Sequence, residues 1–338
     1  MKKRFFDALK IALFLSIGVF FIWLFLHKLS PEEKHEIYTS FLSANFWWIL
    51  LSVVLGILSH ISRAVRWKLL LMPLGYIPGI RNTFFAVMTG YITNLAVPRL
   101  GEISRCSVMA KYEKIPFQKS FGTVVTERGI DLMSLILAFV LNFFIQFSKW
   151  GVFQETILYQ KTIGNYNQIE NPGLWYWSVF IFVVCFAYIC YRQRHRIAHT
   201  RFYIRIREIV LGFFEGLKTL AQIREPFWFI FHTVFIWVMY FLMTYIVFFS
   251  LLETSHLGLD AGFAVLVFGS IGIIVVQGGI GIYPFIVAEI LTLFAIPVTT
   301  GYAMGWLLWS GQTVTIILVG ILSLTLLPML NRNRHELS

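Results

Sequence analysis

Apolar stretches long enough to cross a bilayer recur along this sequence, and they restrict its fold more than any motif does. Several runs of 18 or more residues carry no charged side chain, and that is the length a helix needs to cross about 30 Å of hydrocarbon. We read spans at about 8–27, 46–62, 121–147, 173–191, 226–251, 259–277, 280–296 and 301–327. A shorter apolar piece, 82–97, ends at Pro98. The chain is 58% hydrophobic and 13% charged, where a soluble domain runs nearer 45–50% and about 25%. In hydrocarbon every backbone N–H and C=O needs a partner within the protein, and a helix supplies them all locally. The expected fold class is therefore all-α: a polytopic transmembrane helix bundle of about eight spans, with re-entrant or broken helices near 82–105 and 270–290. It forms one transmembrane domain over 1–338 with no soluble domain.

A net charge of +11 would suit a nucleic-acid ligand if the basic residues formed a patch. They alternate with apolar spans instead, so no nucleic-acid partner is expected. Under the positive-inside rule, the segments holding Lys2 to Lys10, Arg63 to Arg81, Arg99 to Lys119, Arg192 to Arg224, and Arg332 with Arg334 face the cytoplasm. Lys28, Lys34, Lys149 and Lys161 remain outside, and Arg128 lies within a span. Both termini are then cytoplasmic, in a bacterial-type inner (plasma) membrane. This division holds only if 82–97 enters and leaves on one side. Irregular backbone at membrane depth is tolerated where protein or a water-filled cavity covers it, so a re-entrant segment predicts a cavity. Segment 192–225 is basic with Ile204, Ile209, Leu211, Phe213, Phe214 and Leu217 at helical spacing; it reads as a cytoplasmic amphipathic helix on anionic lipid. The polar 148–172 reads as an external lid. Trp47, Trp48, Trp67, Trp150, Trp175 and Trp177 fall at span ends, where indoles favour the interface. His27-Lys28-Leu29 lacks a small-residue cleavage pattern, so the first helix is expected to be retained. Cys106, Cys185 and Cys190 offer neither zinc-site spacing nor a disulfide framework. No cofactor or metal is expected, and no exact internal repeat is present.

Four constellations could carry function. Arg63 and Arg66 are three apart and share a helix face; two guanidiniums suit a phosphate, and snorkelling to the interface would equally explain them. In Gly90-Tyr-Ile-Thr-Asn94-Leu-Ala-Val-Pro98-Arg99-Leu-Gly101-Glu102-Ile-Ser-Arg105 the glycines and proline break the helix. Arg99, Glu102 and Arg105 follow at three-residue steps, as a site stripe or as a turn with a surface ion pair. In Thr123-Val-Val-Thr126-Glu127-Arg128-Gly-Ile-Asp131, Glu127 and Asp131 share a face and Arg128 can reach Asp131. Ionisable groups inside a span face a cavity or one another, so this cluster is functional, structural or both. In Gln277-Gly278-Gly279-Ile280-Gly281-Ile-Tyr283-Pro284, followed by Glu289, the glycines and proline end any regular helix. One interrupted apolar segment in each half points to a transporter-type site between half-helices, though a tight turn between two spans has the same composition.

Together the runs RAVRWKLLL, GYITNLAVPRLGEISR, GTVVTERGIDL and QGGIGIYPFIVAE resemble the transmembrane region of lysylphosphatidylglycerol synthases/flippases and the stand-alone flippase-like proteins of the same family. Gln277 stands where many members have proline, and Tyr283-Pro284 where many carry a different pair. The resemblance implies about eight spans with re-entrant pieces and movement of a modified phospholipid between leaflets. The best-known members add a cytoplasmic synthase domain; this sequence stops at Ser338, so aminoacyl transfer is not among the expectations. The leading expectation is a lipid translocase rather than an enzyme. Its partners would be anionic or aminoacylated phospholipids or a lipid-linked glycan, with a homo-oligomer or a partner synthase as further associations. Arg63, Arg66, Arg99 and Arg105 would engage a phosphate; Glu102, Glu127 and Asp131 would hold the arginines or meet a cationic head group. With no ATP-binding loop, transport would be downhill or ion-coupled. A transferase with Glu127 or Asp131 as base lacks a nucleophile–base pair, and a scaffold for a partner synthase remains a third reading.

Overall fold

Residues 19–27, 29–97, 99–147 and 223–332 are described by the computed structural model. The expected span 173–191, the lid 148–172 and almost all of 192–225 lie outside them. All regular structure among the described residues is helical. Helix α1 (Pro31–Ser43) opens on a capping box: Glu33 N–H donates to the Ser30 hydroxyl and Ser30 N–H to the Glu33 carboxylate, at 3.2 and 2.7 Å. Its Ile37 packs beside Phe25, Tyr302 and Ala303.

Among the described residues, four helices are long and apolar enough to cross a membrane: α2 (Phe46–Leu71), α5 (Phe117–Phe147), α6 (Pro226–Val247) and α9 (Val298–Leu330). Between them lie two pairs of shorter helices, α3 (Ile80–Ala96) with α4 (Leu100–Tyr112), and α7 (Leu259–Val275) with α8 (Ile282–Thr292). At 1.5 Å per residue, the 13 residues of α4 and the 11 of α8 reach only about 20 and 16 Å. Each pair is a re-entrant hairpin. The 280–296 stretch, read as a span from hydropathy, is therefore the short return arm of the second hairpin. Helix α2 runs to Leu71 rather than ending near residue 62.

Contacts fix the directions. Asn45 N–H donates to Ser250 C=O, and Ala44, Val247, Leu251, Leu257, Ala261, Leu291 and Ile296 form one apolar cluster. The starts of α2, α7 and α9 and the ends of α6 and α8 thus share one end of the bundle, here called end one. At the opposite end, end two, the Asn82 and Asn331 amides bond reciprocally at 3.0 and 2.9 Å, and Asn82 also donates to Glu113. The start of α3 and the ends of α4 and α9 meet there. Helix α5 runs from Thr123, bonded to Trp67 of α2, towards Gln146, which donates to Asp260 C=O at end one.

The described chain therefore repeats one plan with its direction reversed. Span, hairpin, span gives α2, α3–α4, α5 with the hairpin entering from end two. The same order gives α6, α7–α8, α9 with the hairpin entering from end one. Both hairpins lie along α9: Ile92 faces Gly320 in the first, and Pro284 faces Gly305 in the second. Their tips meet near its middle, where Leu95 lies against Gly278 and Trp309 Nε1 donates to Gly278 C=O at 2.6 Å.

Candidate functional site

The second half of α2 is buried almost all round, including Ser59, His60, Arg63, Arg66 and Trp67. Apolar length would not predict that for a helix carrying two arginines; charge pairing makes it tolerable. Arg63 and Arg66, one turn apart, both reach α5. Arg63 Nη1 donates to Glu127 Oε1 at 2.9 Å and Asp131 Oδ2 at 2.6 Å. Arg66 Nη2 donates to Glu127 Oε1 at 3.3 Å and Asp131 Oδ1 at 2.7 Å. From α4, Arg105 Nη2 donates to Glu127 Oε2 at 2.5 Å. Glu127 is fully buried and accepts from all three guanidiniums, so one carboxylate ties α2, α4 and α5 together. Tyr240 and Thr233 bring in α6, as acceptors from Arg63 Nη2 at 3.0 Å and Arg66 Nη1 at 3.5 Å.

A second pair adjoins the cluster. Arg128 Nη2 lies 3.1 Å from Glu102 Oε1, and these side chains are 42% and 23% exposed. The expected Arg128–Asp131 contact does not form, because both Asp131 oxygens are taken by arginines of α2. Nor do Arg99, Glu102 and Arg105 act as one stripe: Arg105 turns to Glu127 and Glu102 to Arg128 and Asn94. Trp67 is not an interfacial anchor. It is wholly buried, its ring 3.9 Å beneath the Arg105 guanidinium and its N–H on the Thr123 hydroxyl.

Four guanidiniums (Arg63, Arg66, Arg105, Arg128) face three carboxylates (Glu102, Glu127, Asp131), which leaves one positive charge in excess. Among the described residues the Nε–H groups of all four arginines are buried without a partner. Buried charges persist only when paired and hydrogen-bonded. This set satisfies its carboxylates fully and its cations incompletely, a balance that suits an added anion.

The hairpin tips hold the other sequence candidates. In the first, Gly90 and Gly101 let α3 and α4 touch backbone to backbone; a Cβ at Gly101 would overlap Gly90 O. Asn94 Oδ1 accepts Gly101 N–H at 2.7 Å. Arg99 caps α4 at φ +64°, is exposed, and has no partner among the described residues. At the second tip Gln277 opens a short 3-10 turn, and Gly278, Gly279 and Gly281 take φ near +70°, open to glycine at little cost. Tyr283 is buried against Gly269, and Glu289 is half-buried further along α8. Gly278, Gly279, Gly281 and Tyr283 do not join the ion cluster. The structure thus unites Arg63, Arg66, Arg105, Glu127 and Asp131, sets Asn94, Glu102 and Arg128 beside them, and leaves Arg99, Gln277, Gly278, Gly279, Gly281, Tyr283 and Glu289 at or beyond the tips. Tyr240 and Thr233 lay outside the sequence candidates; a hydroxyl in an apolar run carries no signal of its partner.

Next to the cluster an open groove of about 690 Å³ runs between α5, α6 and α7. Ser134, Ala138 and Leu141 of α5, Thr233, Trp237 and Phe241 of α6 and Phe263 of α7 line it. Among the described residues no group of His, Cys, Asp or Glu is arranged to hold a metal ion.

The profile of the family described as the lysylphosphatidylglycerol synthase TM region matches residues 8–328. The chain belongs to that family. Two relatives are UPF0104 membrane proteins. The one from Methanocaldococcus jannaschii is 24% identical over 221 residues, 61% of this chain and 65% of the relative. The one from Methanothermobacter thermautotrophicus is 24% identical over 147 residues, 41% of this chain and 43% of the relative. The matches thus span less than two thirds of either relative. No solved structure matches. Membership makes the chain an integral membrane protein of the lysylphosphatidylglycerol synthase TM type, in keeping with the four helices among the described residues that are long and apolar enough to span.

Proposed function

We propose that this family member is a lipid translocase: it takes a phospholipid or lipid-linked head group between leaflets and carries no catalytic group of its own. The observation that carries the reading is the pair of oppositely entering hairpins that meet tip to tip beside a buried ion cluster. Transporters built of inverted repeats place their site at such a junction and expose it alternately by moving one repeat against the other. The positive excess in the cluster would meet a head-group phosphate, with Arg63, Arg66 and Arg105 as donors and Glu127 and Asp131 holding them when no lipid is present. Arg99, exposed at the first tip, would meet the head group as it passes between the hairpins. The family description, which names a lipid synthase region, points the same way.

The orientation follows from charge. End two carries Lys68, Arg81, Lys111, Lys114, Lys119, Arg224 and Arg332 with Glu113 and Glu225, and end one carries Glu32, Glu33, Glu36, Glu253 and Asp260 with Lys34. The positive-inside rule places end two in the cytoplasm of a cell bounded by this plasma membrane. In a background lacking Cys106, Cys185 and Cys190, an impermeant maleimide applied to intact cells should label Glu253→Cys and spare Lys114→Cys; the reverse pattern inverts the assignment.

The function itself is tested with purified protein in liposomes containing fluorescent phospholipids and a lipid-linked glycan, with an impermeant quencher outside. Movement of inner-leaflet probe to the quencher is expected for at least one lipid class. If no class moves and none co-purifies with the protein, the reading is wrong.

A further inference from the structure

The groove between α5, α6 and α7 has its own ligand chemistry, and we infer that it seats one hydrocarbon chain of a phospholipid whose phosphate lies against the Arg66–Asp131 end of the ion cluster. This rests on the lipid-handling reading and adds where the lipid sits, how it points and what recognises it.

The cluster runs directly into the groove. Glu127, Asp131, Ser134, Ala138, Leu141 and Ile145 lie along one face of α5, at steps of three and four residues. The first two belong to the ion cluster and the last four line the groove. On α6, Thr233 belongs to both, accepting from Arg66 and lining the groove. From Ser134 to Ile145 the groove extends about 17 Å at 1.5 Å per residue. That is about half of a 30 Å hydrocarbon layer, the depth of the chains in one leaflet. Its charged end points to end two and its far end, at Ile145 and Asp260, reaches end one, so the bound lipid would have the orientation of the end-two leaflet and sit deeper than that leaflet's own lipids.

Two observations favour a phospholipid over a passing solvent lipid. The excess positive charge and the partnerless Arg66 Nε–H lie at the end where a phosphate would sit. The Trp237 indole N–H, buried in the groove wall, also has no partner among the described residues. It is one turn beyond Thr233, placed to donate to an oxygen of the glycerol linkage. The groove also has a counterpart in the reversed plan, the contact of α9 with α3, and that one is shut: Ile92 packs onto Gly320, where even a Cβ would come within 2.6 Å. An open groove facing a closed mate is what a protein in one of two alternating states would present.

The test uses phosphatidylglycerol carrying a diazirine in one chain, in phosphatidylcholine nanodiscs with the whole protein, and mass spectrometry of the photoproducts. Adducts are expected on α5 between 134 and 145 and on α6 between 233 and 241, in excess over the outward face of α9 around Leu318 and Leu322. Ala138→Trp, which fills the groove, should lower groove adducts about tenfold, equivalent to about 1.4 kcal/mol, and leave those on α9 unchanged. Trp237→Phe keeps the packing and removes the donor. It should lower adducts with phosphatidylglycerol and spare those with a diazirine-bearing alkane, a comparison that stands even if Ala138→Trp does not fold. Equal labelling of groove and α9 would mean annular lipid only and overturn the site. So would an unlabelled groove whose Leu141→Cys cross-links to apolar segment 173–191 of the same chain. Groove adducts without transport in liposomes would keep the site and remove the translocase reading. Transport that survives Ala138→Trp with an unlabelled groove would do the opposite.

Discussion

The two hairpins dock on their following spans by opposite means. Where α4 meets α5, Arg105 pairs with Glu127 and Arg128 with Glu102. Where α8 meets α9, glycines do the work: a Cβ at Gly301 would come within 2.9 Å of Ala288 Cα, and one at Gly305 within 2.5 Å of Pro284 Cα. A glycine contact between backbones has one packed geometry and excludes water. An ionic contact can exchange one partner for another, whether water or a phosphate, at constant charge balance. Within the proposed translocase the first hairpin is thus the element that moves and the second the frame it moves against.

The largest effect should come from the centre of the ionic interface. Glu127→Gln leaves three buried guanidiniums short of a counter-charge. Breaking a buried pair costs about 3–5 kcal/mol, so the variant should melt far earlier in detergent or fail to accumulate. A variant as stable as the parent would mean that water reaches the cluster freely.

Gly305→Ala tests the frame. Overpacking costs about 1–3 kcal/mol, and the added methyl meets backbone, which cannot turn aside. Gly122→Ala on α5, with open space around it, should instead leave stability unchanged or raise it by up to about 1 kcal/mol. Equal melting shifts for the two would contradict the close contact of α8 and α9.

Partner identity is sharpened by two double-mutant cycles in Gln substitutions. Arg105 with Glu127 should show a coupling of about 0.5–3 kcal/mol, while Arg105 with Glu102 should be additive within about 0.5 kcal/mol. The smallest effect belongs to Arg128→Gln. A pair this open contributes about 0–1 kcal/mol where water reaches it, so little change in melting is expected; a loss beyond 2 kcal/mol would place the pair in a dry interior.

Much of this was legible in the sequence. Apolar length gave α2, α5, α6 and α9, and the loop charges required that 82–97 turn back. The break at Gly278–Gly281 was visible, but hydropathy cannot separate an 11-residue return arm from a span when apolar residues continue on both sides. The reversed repeat was invisible because its halves share helix order and length while their interfaces are ionic in one and glycine-lined in the other. The ion cluster was legible residue by residue, and so was the holding of its arginines by Glu127 and Asp131, but the partner of Arg128 was not. Spacing along one helix favours Arg128 with Asp131, whereas packing brings α2 arginines nearer. Trp67 shows the same limit, since an indole near a span end reads as an interface anchor until another helix covers it.

In the proposed translocase the first hairpin must move relative to α9 for lipid to cross. The most direct test bridges Asn82→Cys and Asn331→Cys, whose native amides bond where α3 begins and α9 ends, with a short reducible bis-thiosulfonate in the background lacking the three native cysteines. Lipid movement in liposomes is then followed before bridging, after it and after reduction. Movement is expected in the unbridged protein, loss to the protein-free rate when bridged, and recovery on reduction. Undiminished movement in fully bridged protein would contradict that requirement.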